Sequence, residues 1–250
     1  MPTSSPLSPE DLERHARHIM LKEIGGPGLQ RLKAASVSIV GAGALGGPCA
    51  LFLAAAGVGR IEIWDDDVVE RSNLQRQVQF SDADRGGSKA EMLGSRLEAL
   101  DPSIELVIRR VRYSAGDVLS GDLLIDATDN YETRYALNEA AHLSGRALVS
   151  GAAARWTGQV ALFESGRTSG SPCYRCFVPD LPPDAEACDA VGVVGAVTGV
   201  IGARMALEAV KDITGAGSTL AGQLWIFDGL TGAARTLKVN QDPECQVCKT

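Results

Sequence analysis

The sequence predicts an α/β protein with a Rossmann-like, doubly wound, mostly parallel sheet, an antiparallel C-terminal half and a clip made of four cysteines. Three observations carry this expectation. The apolar run Val37-Ser38-Ile39-Val40 leads straight into Gly41-Ala42-Gly43-Ala44-Leu45-Gly46-Gly47, the strand, tight turn and helix start of a nucleotide-binding unit. Short β-rich runs then alternate with helical ones as far as residue 150, as parallel strands joined by crossover helices do. Two C-x-x-C pairs, Cys173-Tyr174-Arg175-Cys176 and Cys245-Gln246-Val247-Cys248, stand far apart in the chain.

Composition narrows the class. Of 250 residues 45% are hydrophobic and 22% charged, which suits a packed core. The net charge of −7 argues against nucleic acid or an anionic membrane as the main partner. No basic segment precedes an apolar one in Met1–Leu12, so a cytoplasmic location is expected. The uncharged stretch Ala190–Ala203 falls short of the roughly 20 apolar residues of a membrane span. It predicts a buried helix whose Gly195, Gly199 and Ala203 let another backbone approach.

The elements follow in order. Ser8-Pro9-Glu10-Asp11 supplies a cap, a first-turn proline and two acids, so a helix starts there and carries Arg14 and Arg17 one turn apart. Gly25-Gly26-Pro27-Gly28 closes the next segment. The first strand is Ser36–Val40, followed by a helix after Gly46 in which Cys49 is a small buried side chain. Gly41, Gly43 and Gly46 allow backbone N–H groups to approach a phosphate, and this serves NAD, FAD and ATP equally. The strand Ile61–Trp64 ends at Asp65, about 20 residues after the last motif glycine, the spacing of a ribose-binding acid. A plain strand-end acid, with Asp66 and Asp67 beside it, is the alternative.

Glu70-Arg71-Ser72-Asn73-Leu74-Gln75-Arg76-Gln77 is a polar loop with a basic centre, read either as solvated surface or as arginine aimed at phosphate oxygens. Ser88-Lys89-Ala90-Glu91 has the spacing of a capping box, which places Lys89 in a first helical turn; a cation there opposes the helix dipole unless an anion lies between. The strands Ile104–Arg109 and Leu123–Asp126 come next, then Thr128-Asp129-Asn130 at the strand end where ligands of open sheets collect. Asp129 either holds Mg²⁺ against a triphosphate or caps the following helix with Glu132. Ala147–Ser150 completes the parallel series, and Gly158–Glu164 and Gln223–Asp228 are strands of the second half. The segment Phe177–Asp189, rich in proline and acids, is a mobile loop carrying Cys188 just before a helix that begins near Ala190. In a cytoplasmic chain the four thiolates Cys173, Cys176, Cys245 and Cys248 make a closed, structural zinc site, with redox pairs or disulfides as the alternative.

Taken together, Arg14-x-x-Arg17, the glycine motif, Asp65-x-Asp67, Ser72-Asn73-Leu74-x-Arg76-Gln77, Gly86-x-x-Lys89, Thr128-Asp129-Asn130, the cysteine pairs and Cys188 resemble the MoeB/ThiF/HesA family, the bacterial relatives of ubiquitin-activating enzymes. The resemblance runs from about Arg14 to Cys248. It implies ATP as the nucleotide and adenylation of the C-terminal Gly-Gly carboxylate of a small ubiquitin-like sulfur carrier. It assigns positive charge to Arg17, Arg76 and Lys89, Mg²⁺ to Asp129 beside Asn130, phosphate orientation to Asn73 and ribose to Asp65, with Asp67 alongside. It further implies a homodimer in which Arg17 reaches the neighbouring site, sulfur transfer at Cys188 in some members, and one domain over 1–250: a helical segment (1–35), a nucleotide-binding half (36–150) and a carrier- and zinc-binding half (151–250). No rhodanese-like extension follows Cys248, so a separate sulfur donor such as a cysteine desulfurase is expected. His15 and His18 depart from the aromatic and glutamine residues usual at those places. A nicotinamide-dependent oxidoreductase would use the glycine motif and Asp65 but would leave Arg76, Lys89 and the cysteine pairs without a task.

Overall fold

The computed structural model describes residues 6–181 and 191–249; the expectations for Cys188 and the rest of its segment fall outside these. Among the described residues, eight strands form one sheet in the order β3-β2-β1-β4-β5-β6-β7-β8. The first five are β1 (Ser36–Val40), β2 (Arg60–Trp64), β3 (Glu105–Arg109), β4 (Leu123–Asp126) and β5 (Ala147–Ala154), all mutually parallel where they pair. The antiparallel continuation is β6 (Thr157–Phe163), β7 (Gln223–Asp228) and β8 (Ala234–Lys238).

The helices are α1 (Pro9–Arg14), α2 (Ala16–Ile19), α3 (Gly25–Ala34), α4 (Gly46–Ala56), α5 (Lys89–Leu100), α6 (Tyr131–Leu143), α7 (Tyr174–Phe177) and α8 (Gly195–Thr214). Successive strand residues point to opposite faces, and the core divides accordingly. Ile39, Ile63, Ile125 and Val149 pack with α4, α5 and α8, while Val40, Trp64, Leu124 and Leu148 pack with α6. The strand order reverses beside β1, and open sheets of this kind hold ligands at the carboxyl ends of the strands flanking such a point.

Several expectations hold in detail. Ser8 accepts from the Asp11 backbone N–H at 3.1 Å and Asp11 accepts from that of Ser8 at 3.0 Å, a reciprocal cap. Cys49 is fully buried. Other expectations are corrected. The first helix breaks at His15, so Arg14 and Arg17 belong to two short helices. Gly25-Gly26-Pro27-Gly28 opens α3 instead of closing a segment, because first-turn residues need no intrahelical donor and tolerate proline. β5 runs to Ala154, four residues past the point where β4 stops pairing, since β6 supplies the partner groups. α8 begins at Gly195 and not near Ala190: Arg155 donates its N–H to Gly192 O and accepts from Val194, keeping the approach extended. Of its small residues, Gly195 does meet a backbone, for a Cβ there would lie 2.4 Å from Gln75 O, whereas Gly199 faces open space and Gly202 makes the close approach to α4. Among the described residues no helix is long and apolar enough to cross a membrane.

Candidate nucleotide-binding cleft and cysteine clip

The glycine turn lies between β1 and α4, and its backbone conformation dictates its residues. Gly41 has φ +96°, and a Cβ there would stand 2.6 Å from Ala127 O. At Gly46 a Cβ would stand 1.7 Å from Gly41 O, so only glycine lets the helix start fold back on the turn. Gly43 faces the cleft. The turn is braced from below: Gln79 Nε2 donates to Ala42 O and Gly43 O, and Asp65 accepts the Ala42 N–H at 2.7 Å and the Asp67 N–H at 2.9 Å. Burial raises the Asp65 carboxyl above its ordinary pKa, against the lowering effect of these two N–H donors.

A cleft of about 820 Å³ opens above this turn. Gly41, Gly43, Asp65, Asp67, Arg76, Lys89, Asp129 and Asn130 line it together. Gly46 sits beneath the turn. Asn73 is buried under its own loop, where its Oδ1 accepts the Glu70 N–H at 3.2 Å and shapes the turn that carries Arg76. Arg17 is exposed on α2 and does not line the cleft of its own chain.

The two capping boxes expected at the cleft do not form. Ser88 precedes α5, but its hydroxyl is buried without a partner, because residue 88 is drawn into a bridge with Val68. Lys89 is held instead by Asp67, at 2.8 Å. At α6 the cap is Asn130, whose Oδ1 accepts the Thr133 N–H at 2.9 Å. The helix therefore starts one residue later than a cap at Asp129 requires, and Asp129 stands exposed at the cleft wall.

Two side chains here, Gln79 and Arg134, escape the sequence reading, and a third, Gln77, enters it only as part of a motif. Gln79 has been described. Gln77 is buried on the cleft floor with its Oε1 unpartnered. Arg134 is buried on α6 against Asp126 at the end of β4, at 3.0 Å. The one available signal for Arg134 is its spacing, a turn beyond Asn130 and thus on the same helix face. The cleft is also lined by the β5–β6 hairpin, with Ala152, Ala153 and Gly158 beside Thr157 and Gln159, and by Tyr174 and Phe177.

Tyr174 belongs to the cysteine clip. The sulfurs of Cys173, Cys176, Cys245 and Cys248 all lie within 4.8 Å of one another, with Cys173–Cys245 at 3.6 Å and Cys176–Cys248 at 3.3 Å. All four are free thiols, so the disulfide alternative is not what the structure contains. Four sulfurs bonded at about 2.3 Å to one tetrahedral cation stand about 3.8 Å apart, which this cluster fits. Burial pushes Cys248 up to about 11 and raises Cys173 as well, so a divalent cation would be needed to hold both as thiolates. Asn138 Nδ2 donates to Cys173 Sγ at 3.5 Å while its Oδ1 accepts the Tyr174 N–H at 2.7 Å, the outer support that thiolate sites use.

A doubly wound sheet with a glycine turn, a cleft lined by both acids and bases at the strand-order reversal and a four-thiol clip has the architecture of a nucleotide-binding α/β protein. Comparison with known proteins narrows this. The ThiF family model matches residues 15–247, and the chain belongs to that family. It is 43% identical over 247 residues to a "sulfur carrier protein adenylyltransferase" of Thermus thermophilus, covering 96% of this chain and 91% of that one. It is likewise 43% identical over 249 residues to the Aedes aegypti "adenylyltransferase and sulfurtransferase MOCS3", covering 97% of this chain but only 56% of that one. The crystal structure of E. coli MccB shares the fold, with a TM-score of 0.83, 20% identity and coverage of 97% of this chain and 74% of that one.

Proposed function

We propose that this chain is an adenylyltransferase that uses MgATP to activate the C-terminal Gly-Gly carboxylate of a small ubiquitin-like sulfur-carrier protein. One observation carries the reading: a single cleft joins a glycine turn flanked by Lys89, Arg76 and Asp129 to a wall of small residues on the β5–β6 hairpin. The first group of residues suits a triphosphate, and the second admits a peptide end with no side chains. The name borne by the 43% identical Thermus thermophilus relative supports it.

The carboxylate oxygen forms a bond to the α-phosphorus while the bond to the β-phosphate oxygen breaks, releasing pyrophosphate and leaving an acyl-adenylate. Both reactants are anions, and only preorganised positive charge offsets their repulsion. Lys89 and Arg76 supply it within the chain, and Arg17 supplies more from a second copy in a homodimer. Asp129 would hold Mg²⁺, which neutralises phosphate charge. Asp65 accepts from ribose hydroxyls, Asn73 keeps Arg76 in place, and the glycine-turn N–H groups face the phosphates. The nucleotide is held by residues 36–150 and the carrier by 151–250. The clip would hold Zn²⁺ and pin the second half. Cys188 takes part in later sulfur transfer from a separate donor, in the cytoplasm, for a molybdopterin- or thiamine-type pathway.

The test is ATP–pyrophosphate exchange with a panel of Gly-Gly-ending carriers. Exchange that requires a carrier and is indifferent to NAD(P)H is expected. Hydride transfer from NAD(P)H without exchange, whichever carrier is present, would overturn the reading.

A further inference from the structure

Asp129 makes no hydrogen bond of its own among the described residues, yet it must be held still to serve the cleft. What fixes it is the residue before. Thr128 is gripped through all three of its polar groups: its N–H and Oγ1 donate to Asp126 Oδ1 at 3.1 and 2.7 Å, and its carbonyl accepts from Arg134 Nη2. The same Nη2 donates to Gly151 O at 2.8 Å, and Nη1 donates to Asp126 Oδ2 at 3.0 Å and to Ser150 Oγ at 3.1 Å. Arg134 and Asp126 are 6% and 0% exposed. A buried ion pair is weak evidence for stability, because desolvating two charges offsets their attraction. Its geometry is specific, though: one planar guanidinium ties the carbonyl preceding Asp129 to the strand that crosses from the parallel to the antiparallel half.

We propose that Arg134 is a positioning residue for the metal-holding carboxylate of Asp129, acting through the Thr128 carbonyl; the proposal rests on the reading of Asp129 given above. Lysine has one nitrogen where the guanidinium uses two, so it cannot hold Asp126 and the two carbonyls at once; drawn to the Asp126 carboxylate, it lets go of Thr128 O. The distinction is between metal-dependent and metal-independent binding. The glycine turn, Lys89 and Arg76 do not touch Arg134, so their grip on the nucleotide stays.

The experiment titrates Mn²⁺ by electron paramagnetic resonance onto the full-length protein with the non-reacting ATP analogue AMPCPP, and separately measures AMPCPP binding without divalent metal. Arg134→Lys is expected to weaken Mn²⁺ by about tenfold or more, the scale of outer-shell substitutions at metal sites, with metal-free AMPCPP binding near wild type. Ser150→Ala, which leaves both carbonyl bonds intact, is expected to change neither. Unchanged Mn²⁺ binding in Arg134→Lys overturns the proposal. So does an equal loss of both bindings, or a Ser150→Ala shift as large as that of Arg134→Lys, since either marks a general loosening. Should the lysine variant not fold, the isosteric Asp126→Asn, whose amide NH2 has to face either Arg134 or Thr128 and so breaks the bracing on one side, is expected to give the same split, and its absence overturns the proposal. Asp129→Asn separates the two levels. If it binds Mn²⁺ as wild type does, the Asp129 reading and this inference fall together; if it weakens Mn²⁺ and Arg134→Lys does not, only the inference falls.

Discussion

Replacing Lys89 by methionine separates the energetics of the cleft from those of the fold. The Lys89 side chain is 8% exposed and its ammonium lies 2.8 Å from Asp67, whose side chain is 59% exposed. Methionine keeps most of the buried stem, so little packing is lost. Asp67 remains in contact with water and is not stranded as a buried charge. An ion pair with one well-exposed member contributes about 0–1 kcal/mol. A phosphate oxygen about 4 Å from the same ammonium, at an effective dielectric near 20, interacts with about 4 kcal/mol. Loss of one preorganised donor to developing charge typically costs about 10² to 10³ in rate. Lys89→Met should therefore lose under about 1 kcal/mol of stability by urea denaturation, while kcat/KM for ATP in pyrophosphate exchange falls about 100- to 1000-fold. Exchange close to wild type, or a loss matched by a fall in stability of several kcal/mol, would refute the reasoning.

Three further outcomes are expected. The purified protein should hold about one zinc per chain, and Cys176→Ala should lower thermal stability more than it alters AMPCPP affinity; metal analysis without zinc would count against the clip. Arg17→Ala and Asp129→Ala should each be nearly inactive alone, and co-refolding them should restore roughly a quarter of wild-type exchange through mixed dimers with one intact site; no recovery in mixed dimers shown to have formed would place Arg17 outside the neighbouring site. Burial foremost, then His18, Lys33 and Arg14, lowers the pKa of His15, against the opposing effect of Asp101. The unfolded chain then binds the proton that the folded one refuses, so stability is full above about pH 6.5 and declines as pH falls below it. His15→Gln should flatten that part of the urea-midpoint profile, and parallel profiles would rule His15 out as the source.

The parallel half was legible because its signals are local. Strand–helix alternation and a turn that only glycine can make need no tertiary information. Helix starts were less so: Ser88 and Asp129 both have cap spacing, but a bridge to Val68 engages residue 88 and Asn130 caps α6 one position later. The length of β5 was invisible because Gly151-Ala152-Ala153-Ala154 has no β-branched residue, and β6 alone supplies its partners. Arg134 and Gln79 acquire their roles only from what the folded chain brings within reach, and neither residue type in a helix or loop announces this.

The strand β5 also has a consequence for how such proteins can be rebuilt. Leu148, Val149 and Ser150 are hydrogen-bonded to β4 on one side and to β6 on the other, and residues 150 and 151 are adjacent on the same unbroken strand. A graft that exchanges everything after residue 150 between relatives would splice through the middle of the sheet, with both neighbouring strands needing to accept the foreign register at once. Changes at the rim, through the side chains of β7 and β8, leave these pairings alone: β8 is the outermost strand, and its Leu237 is 44% exposed. In this architecture a surface is more easily repainted than a module is shuffled.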